Sequence, residues 1–542
     1  MTERGSGISA TTLPALVRLR SAERGHNILY VGDEERLSFL DADERSAALS
    51  QHLLVLGVGR GTRVGLMFPN SAEFIVFFLA AVRIGAVVVP LSTLATPDEL
   101  RWQLANANVE ILICVSAYRS RNFLEVLVET VPTLDLDSAP PILSQDLPSL
   151  RRILFCRHPD SASEWSFDSL LMRGQAISDK FLRCAEAAVS PSDTAIIVHT
   201  SGSTSLPKGV LHTQGALVQH VRNLNAVRRF SSQDVLFSNS PFFWIGGLVY
   251  SLLGALDAGA RLVCSTAASA QETLDLLERE RPTIVIGFPA SVAHLQKDPT
   301  YSRRHFSARR GNMPAVMAQD ARPDDPQLRH NILGTTETAS VYLIDADDGP
   351  LPENLRGSFG RPAPGFEVQI VNPSTGEVLP AGQIGEIRVR GPYVMQGYVG
   401  RERHETFEPD GWYRTGDLAY VNEDDFVFYK GRLGDMIKTA GANVSPREVE
   451  NVINAITGRP VHVLGIADAD KGQIVVAAVV VEGGAPVDES ELRQQLKQKI
   501  SSYKIPRRFL FLTEAQVPMM SSGKLDRRRL AQRFFTEGPE DD

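Results

Sequence analysis

The chain has 542 residues, of which 43% are hydrophobic and 22% charged, with a formal net charge of −8. It is too long for one hydrophobic core, so roughly two to four structural units are expected, and the acidic balance gives no support to a nucleic-acid role. The four scattered cysteines, Cys114, Cys156, Cys184 and Cys264, form no CxxC pair, which excludes a disulfide framework or zinc site and predicts reduced, buried thiols. No secretory leader is readable, so a cytoplasmic protein is expected.

From residue 38 the segment SFLDADERSAALSQHLLVLGVG has apolar residues at helical spacing, which predicts a helix over 38–59 with Asp41 as its N-cap. A buried strand is expected over 63–68, then a turn at Pro69-Asn70-Ser71 and an apolar helix over 72–84 closed by Gly85. Strands over 86–90 and 110–115 bracket a helix over 96–107. The most membrane-like run, 75–91, is broken by Arg83, Gly85 and Pro90 and reads as a buried helix followed by a strand. Strands without alternation, separated by helices, imply a parallel sheet covered on both faces, with ligands at the carboxyl ends of its strands.

An irregular connection over 133–146 precedes a strand over 152–156. A second series is expected to begin at Thr194, with a glycine-rich loop, a helix from about Thr213, strands over 234–238, 261–264 and 283–286, and helices over 246–256 and 271–280. Two similar halves, each a sheet with helices, follow from this pattern. After Gly357, short alternating stretches at 367–371, 385–391 and 426–430 predict a strand-rich subdomain. Helices over 447–456 and 488–500, with strands over 461–466, 473–481 and 509–512, suffice for a small α+β domain.

The stretch 199–210, HTSGSTSLPKGV, concentrates the chemistry. Two glycines, the hydroxyls of Thr200, Ser201, Ser203, Thr204 and Ser205, and Lys208 follow directly on an apolar strand. Glycines let backbone N–H groups converge on an anion, hydroxyls donate further bonds, and a lysine adds mobile positive charge, so the segment is built to hold phosphate. It is not a Walker A loop, because Pro207 precedes the lysine and Gly209 follows it.

Five further islands accompany the loop: PFFWIGG at 241–247, LGTTET at 333–338, GEIRVRGPYVMQGY at 385–398, DGWYRTGDLA with KGRLGDMIKTAGANVSPREVE within 410–450, and PMMSSGKLDRRRL at 518–530. In this order and at these separations the chain resembles, from about residue 10 to 532, the adenylate-forming superfamily of acyl-CoA synthetases, luciferases and peptide-synthetase adenylation domains. Among these it is most like an acyl-CoA synthetase. The resemblance implies an α/β fold with two αβ-sheet subdomains and a strand-rich subdomain over 1–431, a hinge over 432–436 with Gly434 in the place of the usual acid, and a small mobile α+β domain over 437–542. It also implies a two-step reaction, in which a carboxylate and ATP give an acyl-adenylate and pyrophosphate, and CoA then displaces AMP. No covalent enzyme nucleophile is needed, so the absence of a GxSxG elbow is no gap.

By this resemblance Thr200, Ser201, Gly202, Ser203, Thr204 and Lys208 hold the β and γ phosphates. Gly334, Thr335 and Thr336 belong to the segment that touches the nucleotide, with Thr336 at the α-phosphate. Glu337 and Thr204 are the expected ligands of Mg²⁺, Asp417 accepts from the ribose hydroxyls, Arg432 is a second ribose or phosphate contact, and Lys524 bridges carboxylate and phosphate during adenylation. Gly441 lies on the pantetheine path. The acyl pocket is expected to use Trp244, Gly247, Tyr250, Ser251, Ala339 and Val341, among which the glycine and the short side chains suggest room for a long-chain or bulky apolar acid; Trp412 is assigned to packing. Three residues depart from the family pattern: Ser205 replaces a usual glycine, Leu333 a usual aromatic beside adenine, and Trp244 a frequent histidine. The partners implied are the acid, ATP and CoA, without a transmembrane segment, and a homodimer is left open. Two alternatives stand beside this reading: a ligase that loads carrier-protein phosphopantetheine, and a nucleotide-binding homologue without turnover.

Overall fold

A computed structural model of the chain describes residues 10–536 except 136–139, 161, 174–176, 201–206, 288, 330, 347–348, 440–441, 469–471, 482–486, 501–503 and 521–523. The chain divides into two compact units, Met1–Glu367 with Arg390–Gly411, and Val368–Val389 with Trp412–Asp542.

The first unit contains the parallel sheet that the apolar strand runs imply. Its seven strands lie in the order Gly397–Tyr398, Lys208–Thr213, Thr194–Thr200, Val87–Pro90, Arg63–Met67, Ile111–Val115 and Arg152–Cys156. A second sheet has six strands in the order Arg310–Gly311, Ile284–Val285, Val235–Phe237, Arg261–Val263, Ile28–Val31 and Arg36–Ser38. Two sheets are therefore present, but the split at Thr194 is corrected. Thr194–Thr200 runs parallel to Val87–Pro90 and so belongs to the first sheet, with Lys208–Thr213 and Gly397–Tyr398 added antiparallel beyond it, while Ile28–Val31 pairs with Arg261–Val263 in the second. Apolar strands fit the interior of either sheet, and sequence order does not say which one they join.

Side-chain caps fix most helix starts. Ser71 caps Ala72–Arg83, and Thr96 with Glu99 forms a capping box on Pro97–Asn106. The helix Phe39–Val55 starts at Ser38, not at Asp41. Asp41 is its third residue and accepts from the Ser38 backbone while Ser38 Oγ accepts from Asp41 N, each at 3.0 Å. Those bonds hold the Asp41 carboxyl below its ordinary range.

Ala72–Arg83 is buried along nearly its whole surface, which explains its hydropathy. Arg83 is only 1% exposed and donates to Glu186 Oε1 at 2.7 Å and Asp43 Oδ1 at 2.5 Å. Among the described residues no helix is long and apolar enough to cross a membrane. The helix expected over 246–256 is a π-helix, Gly246–Leu253, continuing as the α-helix Gly254–Ala258. Cys114, Cys156 and Cys264 are buried as expected and burial pushes their thiols up, whereas Cys184, on the solvent side of Asp179–Ala187, is exposed.

In the second unit, an antiparallel sheet has the order Glu367–Val371, Gly385–Arg390, Tyr413–Val421 and Val427–Arg432. A further sheet is centred on Gly472–Val480, which pairs antiparallel with Val461–Asp468 and parallel with Arg508–Leu512. Val449 and Ile453 of Pro446–Thr457 and Leu492 and Leu496 of Glu489–Lys499 pack in one core beside this sheet. Leu530 and Phe534 of Arg527–Thr536 pack in another. Alternation along Val475 to Val480 sends successive side chains into the two cores.

Burial holds His199 and His212 down at about 4 and His220 at about 3. Each stays neutral in the fold but takes up a proton on unfolding below the ordinary 6.5. Their contribution is therefore present above 6.5 and is lost as pH falls toward the folded values. His220 packs between the rings of Tyr393, 5.3 Å away and stacked, and Phe366, 5.2 Å away and edge-on. His220→Phe preserves that packing and is expected to reduce proton uptake on unfolding by about one at roughly pH 5. The pH dependence of the urea midpoint measures this, and an unchanged slope contradicts it.

Candidate active site

The entry and exit strands of the glycine-rich loop, Thr194–Thr200 and Lys208–Thr213, pair antiparallel and set Lys208 directly opposite Thr200. Ser201, Gly202, Ser203, Thr204 and Ser205 lie outside the described residues. The loop's exit is pinned from two sides: Trp102 Nε1 donates to Pro207 O at 2.8 Å, and Val399 N donates to Gly209 O at 2.8 Å. A Cβ on Gly209 would lie 2.9 Å from Ile197 Cγ2 and 3.0 Å from Asn106 Oδ1, so close packing favours glycine there.

Thr336 and Glu337 stand on the short 3₁₀ turn Thr336–Thr338, after the strand Leu333–Thr335. Thr335 N donates to Thr338 Oγ1 at 3.1 Å and closes the turn. Ala339 and Ser340 follow with φ of 53° and 123°, two consecutive side-chain-bearing residues in backbone space that favours glycine. Such residues cost about 1–3 kcal/mol each and persist only where their surroundings over-determine them. Gly334 makes the tight return possible, since a Cβ there would lie 2.5 Å from Ser340 O.

Three neighbours hold the turn. His212 Nε2 donates to Thr336 O at 2.7 Å, Met395 N donates to Glu337 O at 2.8 Å, and the Tyr398 hydroxyl donates to Glu337 Oε1 at 2.7 Å. Lys208 Nζ lies 5.1 Å from the centre of the Tyr398 ring. Lys208 and Glu337, 129 positions apart by their numbers, are thus joined through one tyrosine. Glu337 is half-buried and makes no ion pair among the described residues. Among those residues no group of three or more His, Cys, Asp or Glu could hold a metal. A cation at Glu337 would therefore draw its other ligands from phosphate, hydroxyl and water, which is how Mg²⁺ binds in nucleotide sites.

In the second unit the cross-strand pair Asp417 and Arg432 is also brought together, with Arg432 Nε donating to Asp417 Oδ1 at 3.1 Å. Asp417 is 2% exposed, and its N–H donates to Thr415 Oγ1 at 3.0 Å. The Arg432 side chain is 53% exposed. Lys524 is exposed on a turn closed by Met520 N donating to its carbonyl at 2.7 Å. Gly434 is exposed in the 3₁₀ turn Leu433–Asp435 with open space at its Cβ position, and Gly441 lies outside the described residues.

The residues expected to line an acyl pocket have mixed surroundings. The strand Ser340–Ile344, with Val341, packs against the π-helix, and Ala339 is buried just before it. Trp244 is half-buried and edge-on to Phe243 at 5.7 Å. Gly247, read as leaving room, leaves none: a Cβ would lie 2.1 Å from Pro241 O, so this glycine serves a backbone contact. Tyr250 lies beneath the Arg228 guanidinium, 4.2 Å from Cζ, and its carbonyl accepts from Arg228 Nη2 at 3.0 Å. Ser251 Oγ donates to Ser238 Oγ at 3.0 Å in the interior. Trp412 is buried with Arg388 Cζ 4.9 Å over its ring, as its packing assignment expects.

The family profile of AMP-binding enzymes matches residues 18–399, and that of the AMP-binding enzyme C-terminal domain matches 448–524. The chain belongs to the AMP-binding enzyme family. Its enzyme class is that of the AMP-forming acid–thiol ligases. Similar family members include the indoleacetate–CoA ligase of Aromatoleum aromaticum, 30% identical over 522 residues and covering 93% of this chain and 95% of that protein. The mitochondrial medium-chain acyl-CoA ligase of Mus musculus is 28% identical over 520 residues, covering 92% and 83%. In fold, the chain matches the crystal structure of an anthranilate CoA ligase in complex with anthranoyl-AMP, at 23% identity, 97% of both chains and a TM-score of 0.81.

Reading the family's motifs did not single out Tyr398, His212 or Trp102. Tyr398 closes the quoted island GEIRVRGPYVMQGY, and its position there was the available signal. His212 and Trp102 act on main-chain carbonyls, contacts that leave no sequence pattern. Gly334→Ala is expected to push Ser340 away and destabilise the Glu337 turn by about 1–3 kcal/mol. A lowered thermal midpoint with a raised KM for ATP is the expected result; a wild-type KM for ATP contradicts it.

Proposed function

We propose that this AMP-binding family enzyme uses ATP and Mg²⁺ to convert a long-chain or bulky apolar carboxylic acid to its acyl-adenylate, then transfers the acyl group to CoA with release of AMP. The observation that carries this reading is the linkage of Lys208, beside the hydroxyl-rich loop, to the carboxylate of Glu337 through Tyr398. The names of relatives that act on indoleacetate and on medium-chain acids support an apolar acid.

In the first step a carboxylate oxygen attacks the α-phosphorus and pyrophosphate leaves. A carboxylate alone is a poor acyl donor because its leaving group would be oxide; the mixed anhydride supplies AMP instead. Thr200, Ser201, Gly202, Ser203, Thr204 and Lys208 would hold the β and γ phosphates and take up charge on the leaving pyrophosphate. Thr336 would orient the α-phosphate, Asp417 would accept from the ribose, Arg432 would support ribose or phosphate, and Lys524 would bridge the acid and the α-phosphate. Glu337 and Thr204 would hold Mg²⁺, which would supply charge neutralisation when bound. In the second step the thiol sulfur attacks the acyl carbon and AMP departs with the bonding pair.

The two steps place different demands on Lys524, which motivates a hinge over 432–436 between a body over 1–431 and a mobile domain over 437–542. Gly434, with open space around it, can absorb backbone rotation. Within the second unit, Ser445 Oγ donates to Lys430 O at 2.6 Å and Arg447 Cζ lies 5.2 Å from the Tyr429 ring, so rotation at this hinge would have to break both contacts.

Pyrophosphate release across a panel of apolar acids, with free CoA and a holo-carrier protein as alternative acceptors, tests the reading. CoA-dependent AMP formation is expected; AMP formation with the carrier alone would favour the carrier-loading ligase, and none with any acid or acceptor would favour a homologue without turnover. Chelation of Mg²⁺ is expected to stop pyrophosphate release. Lys524→Ala is expected to lower adenylation by roughly 10²–10³-fold while preformed acyl-adenylate still reacts with CoA, and equal losses in both half-reactions contradict its role.

A further inference from the structure

Tyr398 touches both halves of the phosphate apparatus. It lies on the edge strand Gly397–Tyr398, paired with Val210 two residues beyond Lys208, and is itself buried. Its hydroxyl donates to Glu337 Oε1 at 2.7 Å. The centre of its ring lies 5.1 Å from Lys208 Nζ and 5.6 Å from Arg401 Cζ. Two cations near one ring draw electron density from the phenol and strengthen its O–H as a donor, and the acceptor is an ionisable carboxylate. The backbone at both ends is fixed, through Met395 N to Glu337 O at 2.8 Å and Gln396 N to Leu211 O at 3.0 Å.

We infer that Tyr398 is a positioning residue, which orients the Glu337 carboxylate for the nucleotide-bound divalent cation and holds the Lys208 ammonium against the same ring, so that the carboxylate and the lysine are set together. The inference rests on the reading of Glu337 as a cation ligand. With Oε1 accepting from the phenol, rotation of the carboxylate is restricted, while Oε2 keeps both its lone pairs for a ligand. A ligating carboxylate fixed in this way needs no reorganisation when the nucleotide arrives.

The test titrates Mn²⁺ into the full-length protein with an ATP analogue bearing a methylene between the α and β phosphates, reading free Mn²⁺ by electron paramagnetic resonance. Tyr398→Phe keeps the ring but removes the donor, and the Mn²⁺ Kd is expected to rise about tenfold. In turnover, the lost rate of pyrophosphate release is expected to recover at raised Mg²⁺, with the KM for the acid unchanged. Tyr398→Leu also removes the ring and is expected to weaken binding of the analogue itself, because Lys208 loses its support. An unchanged thermal midpoint for Tyr398→Phe shows that it folds. A Mn²⁺ Kd within about twofold of wild type in that folded variant overturns the inference. Glu337→Gln separates the two layers: if it weakens Mn²⁺ while Tyr398→Phe does not, only the role of Tyr398 fails; if neither does, the cation role of Glu337 fails with it.

Discussion

The strand Lys208–Thr213 is hydrogen-bonded on both sides, antiparallel to Thr194–Thr200 on one and to Gly397–Tyr398 on the other. The glycine- and hydroxyl-rich segment between Thr194–Thr200 and Lys208–Thr213, with Lys208 at its exit, is the part of the chain whose composition favours flexibility. Pairing both of its ends into a sheet, and fixing Pro207 and Gly209 through Trp102 and Val399, supplies the stiffness that such a loop cannot supply for itself. The same strand reaches the Glu337 turn through His212, while its edge partner reaches it through Tyr398. The described contacts around Lys208 and the Glu337 turn are built outward from this one strand.

The Glu337 turn shows the complementary constraint. Ala339 and Ser340 adopt left-handed backbone, and Gly334 admits the Ser340 carbonyl at a distance that no side chain would allow. Contacts from His212, Met395 and Tyr398 keep this strained conformation in place, so its energetic cost falls on the surrounding sheet and not on nucleotide binding. Burial keeps His212 neutral, and its Nε2–H donates to Thr336 O. The buried Asp417 is managed differently: its carboxyl accepts from Arg432, whose side chain remains half in solvent.

The amphipathic and capping patterns were legible because they are local. Ser71, Thr96 and Gly85 lie where the chain's own turn chemistry puts them, and the apolar run at 75–91 resolved into a buried helix and strand as its interruptions imply. Asp41 was displaced from the cap by Ser38 because both are good caps and the helix began one turn earlier to bury Phe39. The π-helix at Gly246–Leu253 had no signature beyond an ordinary apolar run, and its wide turn depends on what packs against it. Gly247 invited a reading as open space, when Pro241 O already filled it.

By itself, the sequence determined the parallel strand–helix texture, the hydroxyl-rich phosphate loop and the acidic, basic and glycine islands that mark an AMP-binding enzyme, since periodicity and short-range residue chemistry carry that information. Only the tertiary structure decided that Thr194–Thr200 joins the first sheet, that Ile28–Val31 joins the second, and that Tyr398 stands between Lys208 and Glu337. The physical reason is distance along the chain: strand pairing and side-chain bridges across more than a hundred residues are chosen by shape and burial in the folded core, and a linear pattern does not record that choice.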